Sequence, residues 1–357
     1  MSRRLRVGAI GAGWWATTNH FPLLAARDDV ELIGVVRPDE EILHTVKKEF
    51  GFQTAFTDYR DLLKEDLDAV IVSTPHHVHF EHTMAALASG AHTLCEKPMT
   101  LTALDAWKIV KEAERREKNV LVPFGWNYAP FIVEARRALH DVGIGEVEYV
   151  QAFMASPTKQ FFSGAGTVPS QWTPSIASPD PGTWQNPLQG GGYAHGQLSH
   201  LVALALWLTD LRGVSVRALA SGPGAGVDLY NCSTVAFNNG AQGTLAGAGT
   251  LPDDDKFQVD IRLFGSEGVL LLDVERERAE IRRHDGVVWS ASPLANEGAY
   301  QCVEPLNRFV DLALGRDVEN NSPAELGART VEIVAAIQES SFRDGEKVFI
   351  EQLTLAD

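Results

Sequence analysis

Cysteine is scarce in this chain: Cys95, Cys232 and Cys302 are the only three in 357 residues. They are far apart and odd in number, which excludes a disulfide framework, and with no CxxC pair there is no zinc knuckle. No apolar run reaches the ~18 residues needed to cross a bilayer. Basic charge is also in short supply. The 31 Lys+Arg against 47 Asp+Glu leave a formal net charge of −16, which opposes binding to nucleic acid or an anionic membrane. The opening Met1-Ser2-Arg3-Arg4-Leu5 has paired arginines but no signal-peptide apolar core, and reads as a basic lead-in to a strand. What remains is the composition of an ordinary soluble protein, 45% hydrophobic and 22% charged, and long enough for two domains. The expectation is small-molecule chemistry in a reducing, cytoplasmic setting.

The first 125 residues alternate short apolar runs with amphipathic stretches. Strands are expected at Leu5–Ile10, Val30–Val36, Asp68–Val72, His92–Cys95 and Val120–Val122. Helices are expected between them, up to about Arg27, over Asp39–Phe50, His79–Ser89 and Thr100–Lys118. That alternation predicts an α/β Rossmann domain with a doubly wound parallel sheet over residues 1–125. The texture then changes. After a strand at 146–155, residues 156–192 are rich in Pro, Gly, Ser and Trp and carry no periodicity. An apolar helix is expected over Ala194–Thr209, followed by five short strands between 214 and 272 separated by turn signals, and helices near Val303–Leu314 and Ala324–Phe342. Residues 126–357 therefore read as an α+β domain with an open, mainly antiparallel sheet, whose last helix could pack back on the first domain.

The strongest local signal is Gly11-Ala12-Gly13-Trp14-Trp15-Ala16, a GxGxxA turn between strand one and a helix. Gly11 permits the tight turn, Gly13 lets backbone approach a pyrophosphate, and the small Ala16 lets the helix pack close to the sheet. At the end of strand two, where an acid would bind the ribose hydroxyls of NAD, stands Arg37. Its guanidinium suits a 2′-phosphate, so NADP(H) is favoured over NAD(H). Thr74-Pro75-His76-His77-Val78-His79 and Glu96-Lys97-Pro98 each follow a strand, at the sheet end where ligands bind. A desolvated lysine there can polarise an oxygen or relay a proton. His76, His79 and His82 recur at three-residue spacing, but the first lies in the turn, and no metal is expected.

The GxGxxA loop, the Thr-Pro-x-x-x-His turn and Glu-Lys-Pro, followed by a sheet domain, resemble the glucose-fructose oxidoreductase / inositol dehydrogenase / MocA (Gfo/Idh/MocA) family. The resemblance implies NAD(P)-dependent hydride transfer on a sugar, cyclitol or related CH–OH compound, and a homodimer or homotetramer formed through the second sheet. It places Thr74, Pro75, His76, His79, Glu96, Asn127 and Trp184 along the cofactor, and Lys97 against both cofactor and substrate. A second family landmark, a glycine triplet leading into an Asp-x-x-x-His pair, reads here Gly190-Gly191-Gly192-Tyr193-Ala194-His195-Gly196-Gln197-Leu198-Ser199-His200. His200 matches the family histidine and is the expected general acid/base, with Lys97 orienting the reacting oxygen. Gly196 stands where the aspartate would be, so Gln197 or Tyr193 would have to supply its hydrogen bond. Tyr193, Gln197 and Trp172 complete the expected substrate contacts. Two other readings fit the same residues: an imine or double-bond reductase of this fold, and an NADP(H)-binding sensor without turnover.

Overall fold

The computed structural model describes residues 3–165, 172, 176–292 and 298–355. Part of the irregular connection expected over 156–192 therefore lies outside the described residues.

Six strands form the first sheet: β1 (Leu5–Ile10), β2 (Val30–Val36), β3 (Thr54–Phe56), β4 (Ala69–Val72), β5 (His92–Cys95) and β6 (Val120–Leu121). All pair in parallel, in the order β3-β2-β1-β4-β5-β6. Every residue of β4 is buried, as a strand covered on both faces requires. β3 was not expected from the sequence. Its three residues are all half-buried at the sheet edge, too few and too exposed to leave an apolar pattern. The connecting helices are shorter than the periodicity suggested because capping side chains set their starts. Asp39 accepts from the Ile42 amide and Thr102 from the Asp105 amide. The chain order reverses between β1 and β4, so the turns that follow these two strands flank the crevice where doubly wound sheets bind ligands.

The second sheet has nine strands: β7 (Val147–Ala155), β8 (Gly213–Ser221), β9 (Tyr230–Phe237), β10 (Gln242–Ala248), β11 (Gln258–Gly265), β12 (Gly268–Asp273), β13 (Arg278–Arg283), β14 (Val288–Ser290) and β15 (Val348–Phe349). Their order is β14-β13-β12-β11-β7-β10-β9-β8-β15, antiparallel throughout except for the β7–β10 pair. The strands missed from sequence, β13 to β15, lie toward the two edges. β13 is rich in charge (Arg278, Glu280, Arg282, Arg283), which suits an edge but hides a strand from any search for apolar runs. Burial alternates along β9, β10 and β11. The inner face packs on the helices Ser199–Thr209 and Ala324–Phe342, while the outer face leaves Tyr149, Phe153 and Phe264 exposed.

The chain then returns to the first sheet. Leu306, Phe309 and Val310 of the helix Val303–Ala313 join the core beneath β1 and β2. Arg27 reaches Asp311 at 3.2 Å, and Arg316 reaches Asp29 at 2.7 Å. The long helix Ala324–Phe342 is tied to the helix Ala103–Arg115 by the Trp107 indole, which donates to Glu332 at 2.6 Å. Among the described residues no helix is long and apolar enough to cross a membrane.

Candidate active site

A cavity of about 780 Å³ opens between the two sheets, over the carboxyl ends of β1, β2, β4 and β5. The glycine loop forms one wall. Gly11 has φ of +95°, and a Cβ there would stand 2.3 Å from the Ser73 carbonyl oxygen, so only glycine closes the turn against β4. A Cβ on Gly13 would meet nothing within 4 Å, so its backbone faces open space, as close approach of a pyrophosphate requires. Trp14 and Trp15 also line the cavity, whereas Ala16 is buried behind the loop at the helix–sheet contact. Arg37 folds across this loop. Its Nη1 donates to the Ala12 carbonyl at 2.7 Å, and its Nε is buried without a partner.

The turn after β4 forms the opposite wall. The His79 ring spans two carbonyls at 2.8 Å each, those of Pro98 and Thr74, and so pins the two ligand-facing turns to one another. His76 Nδ1 donates to the Gly190 carbonyl at 2.9 Å, and His82 meets the Thr74 hydroxyl at 3.0 Å. The three histidines thus engage different partners, and among the described residues no group of potential metal ligands converges. Thr57, Asp58, Tyr59 and Arg60 also line this end. The sequence reading missed them because they follow β3, a strand it did not see.

Lys97 and Glu96 form the floor. Glu96 accepts from His20 Nε2 at 2.7 Å and from the Lys97 amide at 3.1 Å. Burial alone would push the Glu96 carboxyl up, yet these hydrogen bonds and the charges of His20 and Lys97 hold it below its ordinary range. Lys97 Nζ donates to the Gly196 carbonyl at 3.0 Å and sits 5.5 Å from the Trp184 ring. Burial pushes the Lys97 ammonium down to about 8, against the opposing pull of Glu96. His20 was not singled out from sequence, since its partner lies 76 positions away.

His200 lines the same cavity, with the rings of Phe124, Trp126 and Tyr300 at 6.2, 5.7 and 4.9 Å. Its Nδ1 has no partner. Burial and then the Lys97 charge hold its pKa well below the ordinary imidazole value, so the ring is neutral at pH 7. Gln197 also faces the cavity. Tyr193 does not: its side chain is fully buried and its hydroxyl donates to the Met154 carbonyl at 3.0 Å. Asn127 is likewise outside the cavity lining. Its amide donates to the Asn321 carbonyl at 3.1 Å and so holds the turn after β6. These contacts turn the Tyr193 hydroxyl and the Asn127 amide nitrogen toward backbone carbonyls, while Asn127 Oδ1 is buried without a partner. Trp172 and Trp184 both line it.

Gly196 lies in a π-helical turn, Ala194–Leu198, in which the Ser199 amide reaches back five residues to Ala194. A second such turn, Ala16–His20, carries His20. Both are one-turn insertions that re-aim a group into the site. The helix that begins at this first turn is anchored by Asp228, which sequence reasoning also missed. Asp228 accepts from the Ala194 amide at 2.8 Å, Asn231 at 2.7 Å and Gln338 at 3.1 Å. Gly192, with φ of +102°, leaves room for that carboxylate.

The departure at Gly196 has a steric cause. A Cβ at this position would stand 2.6 Å from Phe162 Cζ and 3.5 Å from Trp184 Cζ3. Aromatic packing occupies the space an aspartate would need, and the Gly196 carbonyl takes over as the polar partner of Lys97. Gly196→Asp is therefore expected to lower stability by about 1–3 kcal/mol, measured by urea denaturation, without gain of activity. In a Phe162→Ala background the same aspartate should cost less than in the parent chain, read as a double-mutant cycle; an aspartate tolerated without cost in the parent chain would contradict this packing account.

Comparison with known proteins fits this geometry. Residues 5–124 match the model of an oxidoreductase family with an NAD-binding Rossmann fold, and residues 132–271 match the Gfo/Idh/MocA C-terminal domain. Levoglucosan dehydrogenase of Pseudarthrobacter phenanthrenivorans is 24% identical over 313 residues, covering 77% of this chain and 75% of that one. D-glucoside 3-dehydrogenase of Escherichia coli is 30% identical over 147 residues, but the match covers only 41% and 42% of the two chains. Among solved structures, levoglucosan dehydrogenase with NADH and levoglucosan superposes with a TM-score of 0.77 at 18% identity, over 98% of this chain and 100% of that one. GenD2 from gentamicin A biosynthesis, bound to NAD, does so with a TM-score of 0.75 at 23% identity, over 98% and 97%. At such identities the superpositions show the fold. The two matched models together span most of the sequence, and the chain belongs to the Gfo/Idh/MocA family of oxidoreductases.

Proposed function

We propose that this chain oxidises, or in reverse forms, a CH–OH carbon of a sugar-type substrate with NADP(H) in preference to NAD(H). The observation that carries the reading is Lys97: a buried lysine brought near neutrality at the end of β5, in one cavity with the glycine loop and His200. A nicotinamide dinucleotide, when bound, supplies the hydride acceptor or donor. The residues of this chain do the rest. Neutral Lys97 takes the hydroxyl proton as the carbinol carbon becomes a carbonyl, and in reverse its ammonium returns that proton. The Gly196 carbonyl aims the Lys97 amine, and Glu96 is fixed behind it by His20. His200, neutral and with no carboxylate beside it among the described residues, suits a hydrogen bond that orients the reacting hydroxyl. The sequence reading gave His200 the proton and Lys97 the orienting role; the electrostatics favour the exchange of the two.

The sugar class rests on the named activities of the relatives and on the Trp184 ring beside Lys97, which suits the apolar face of a pyranose ring. The cofactor preference rests on Arg37, held at the adenosine end with a buried, unpartnered Nε. We read the open face of the second sheet, with exposed Tyr149, Phe153 and Phe264, as the pairing surface of a homodimer or homotetramer. A cytoplasmic setting fits the free thiols of Cys95, Cys232 and Cys302.

Lys97→Met is expected to lower turnover on a panel of sugars and cyclitols about 10²- to 10⁴-fold, read from nicotinamide absorbance; undiminished turnover would remove Lys97 from the chemistry. Arg37→Ala should weaken NADP(H) binding about 10- to 100-fold and NAD(H) far less, by fluorescence titration. Equal losses would contradict the phosphate contact.

A further inference from the structure

The aromatic residues around the cavity form a closed circuit. Trp14 and Trp15 lie 5.4 Å apart, Trp15 and Tyr300 6.5 Å, Tyr300 and Trp126 5.2 Å. Trp126 and Phe257 follow at 5.9 Å, Phe257 and Trp172 at 6.4 Å, and Trp172 returns to Trp14 at 5.5 Å. All six line the same cavity. They come from five separate segments: the glycine loop, the turn after β6, the irregular connection, the entry to β11 and the entry to the helix Val303–Ala313.

Two polar atoms of this circuit are engaged by backbone carbonyls. The Tyr300 hydroxyl donates to the Pro123 carbonyl at 2.6 Å and the Trp126 indole donates to the Gly298 carbonyl at 3.3 Å, whereas Trp14 Nε1 is buried without a partner. The circuit therefore offers mainly π surface, with few polar atoms for its area. Ligand hydroxyls placed against it would have few partners, whereas a planar aromatic group meets ring faces and edges on every side. The circuit also adjoins the chemistry: His200 touches both Tyr300, at 4.9 Å, and Trp126, at 5.7 Å. A sugar hydroxyl at Lys97 and His200 would place its aglycone among these rings. Aromatic enclosures also take organic cations. Here, among the described residues, the circuit itself carries no carboxylate, the nearby Glu96 is engaged by His20 and the Lys97 amide, and Lys97 itself opposes a second cation.

We infer that the substrate is an aryl glycoside, with its sugar at Lys97, Gln197 and His200 and its aromatic aglycone seated in the ring of Trp14, Trp15, Trp126, Trp172, Phe257 and Tyr300. The sugar half of this assignment rests on the function proposed above; the aromatic half rests on the circuit alone.

The test uses the full chain with saturating NADP(H), and phenyl and methyl D-glucosides of both anomers as probes. Binding is measured by isothermal titration, and turnover separately by absorbance. Phenyl glucoside should bind at least about 10-fold tighter than methyl glucoside. That ratio should fall toward one in Trp172→Ala and in Phe257→Leu, two substitutions on separate segments, checked for folding by thermal melting. Equal affinities, absence of binding by either probe, an unchanged ratio in both folded variants, or tighter binding of benzyltrimethylammonium would each overturn the inference. Preferential phenyl glucoside binding without oxidation of either probe would support the aromatic seat while sinking sugar oxidation. Oxidation of both probes at equal affinity would do the reverse.

Discussion

An ammonium group is costly to bury, and the site is arranged around one that is buried. Lys97 sits at the end of β5, beneath the Trp184 ring and against a single backbone carbonyl, with no carboxylate hydrogen-bonded to its Nζ in the described structure. The desolvation brings its proton affinity close to neutrality. Complete neutralisation is opposed by Glu96, whose negative charge is maintained one residue away by His20. The lysine is thus tuned between an apolar, aromatic front and a charged back. Both π turns serve this balance, one by carrying His20 and the other by carrying Gly196.

The same constraint accounts for the missing aspartate. A carboxylate at position 196 would favour the imidazolium of His200 and also pull the Lys97 proton affinity upward. Phe162 and Trp184 fill that space instead, and the histidine stays neutral among Phe124, Trp126 and Tyr300. On the mechanism we propose, proton transfer and orientation are thereby divided differently from the paired arrangement that the resemblance implied. The anchoring of the helix is displaced as well: Asp228, on a strand entry of the second sheet, holds the helix start from outside.

Much of this was legible from sequence, for a physical reason. The glycine loop, the Thr74 turn and the Glu96-Lys97-Pro98 segment are local: a few consecutive residues determine the backbone shape and its place at a strand end. Strands with continuous apolar runs were legible for the same cause. Features built by long-range contact were not. His20 meets Glu96 across 76 positions, and Phe257 and Tyr300 reach the cavity from distant segments. Tyr193 and Asn127 show the converse limit, since a motif position does not say where a side chain turns. One points to Met154 and the other to Asn321. β13 escaped notice because its charges suit a strand near a sheet edge.

The central claim is that Lys97, and not His200, exchanges the proton. The pH dependence of kcat/KM for alcohol oxidation, followed from about pH 6 to pH 11, tests it most directly. The base form of Lys97 is the active one in that direction, so the rate should rise with pH to a plateau through an apparent pKa of about 8. The inflection should move lower in Glu96→Gln, because the carboxylate raises the lysine's proton affinity. An inflection near 10.5, the ordinary lysine value, or a rate already at its plateau at pH 6, as the depressed proton affinity of His200 would give, would contradict the account.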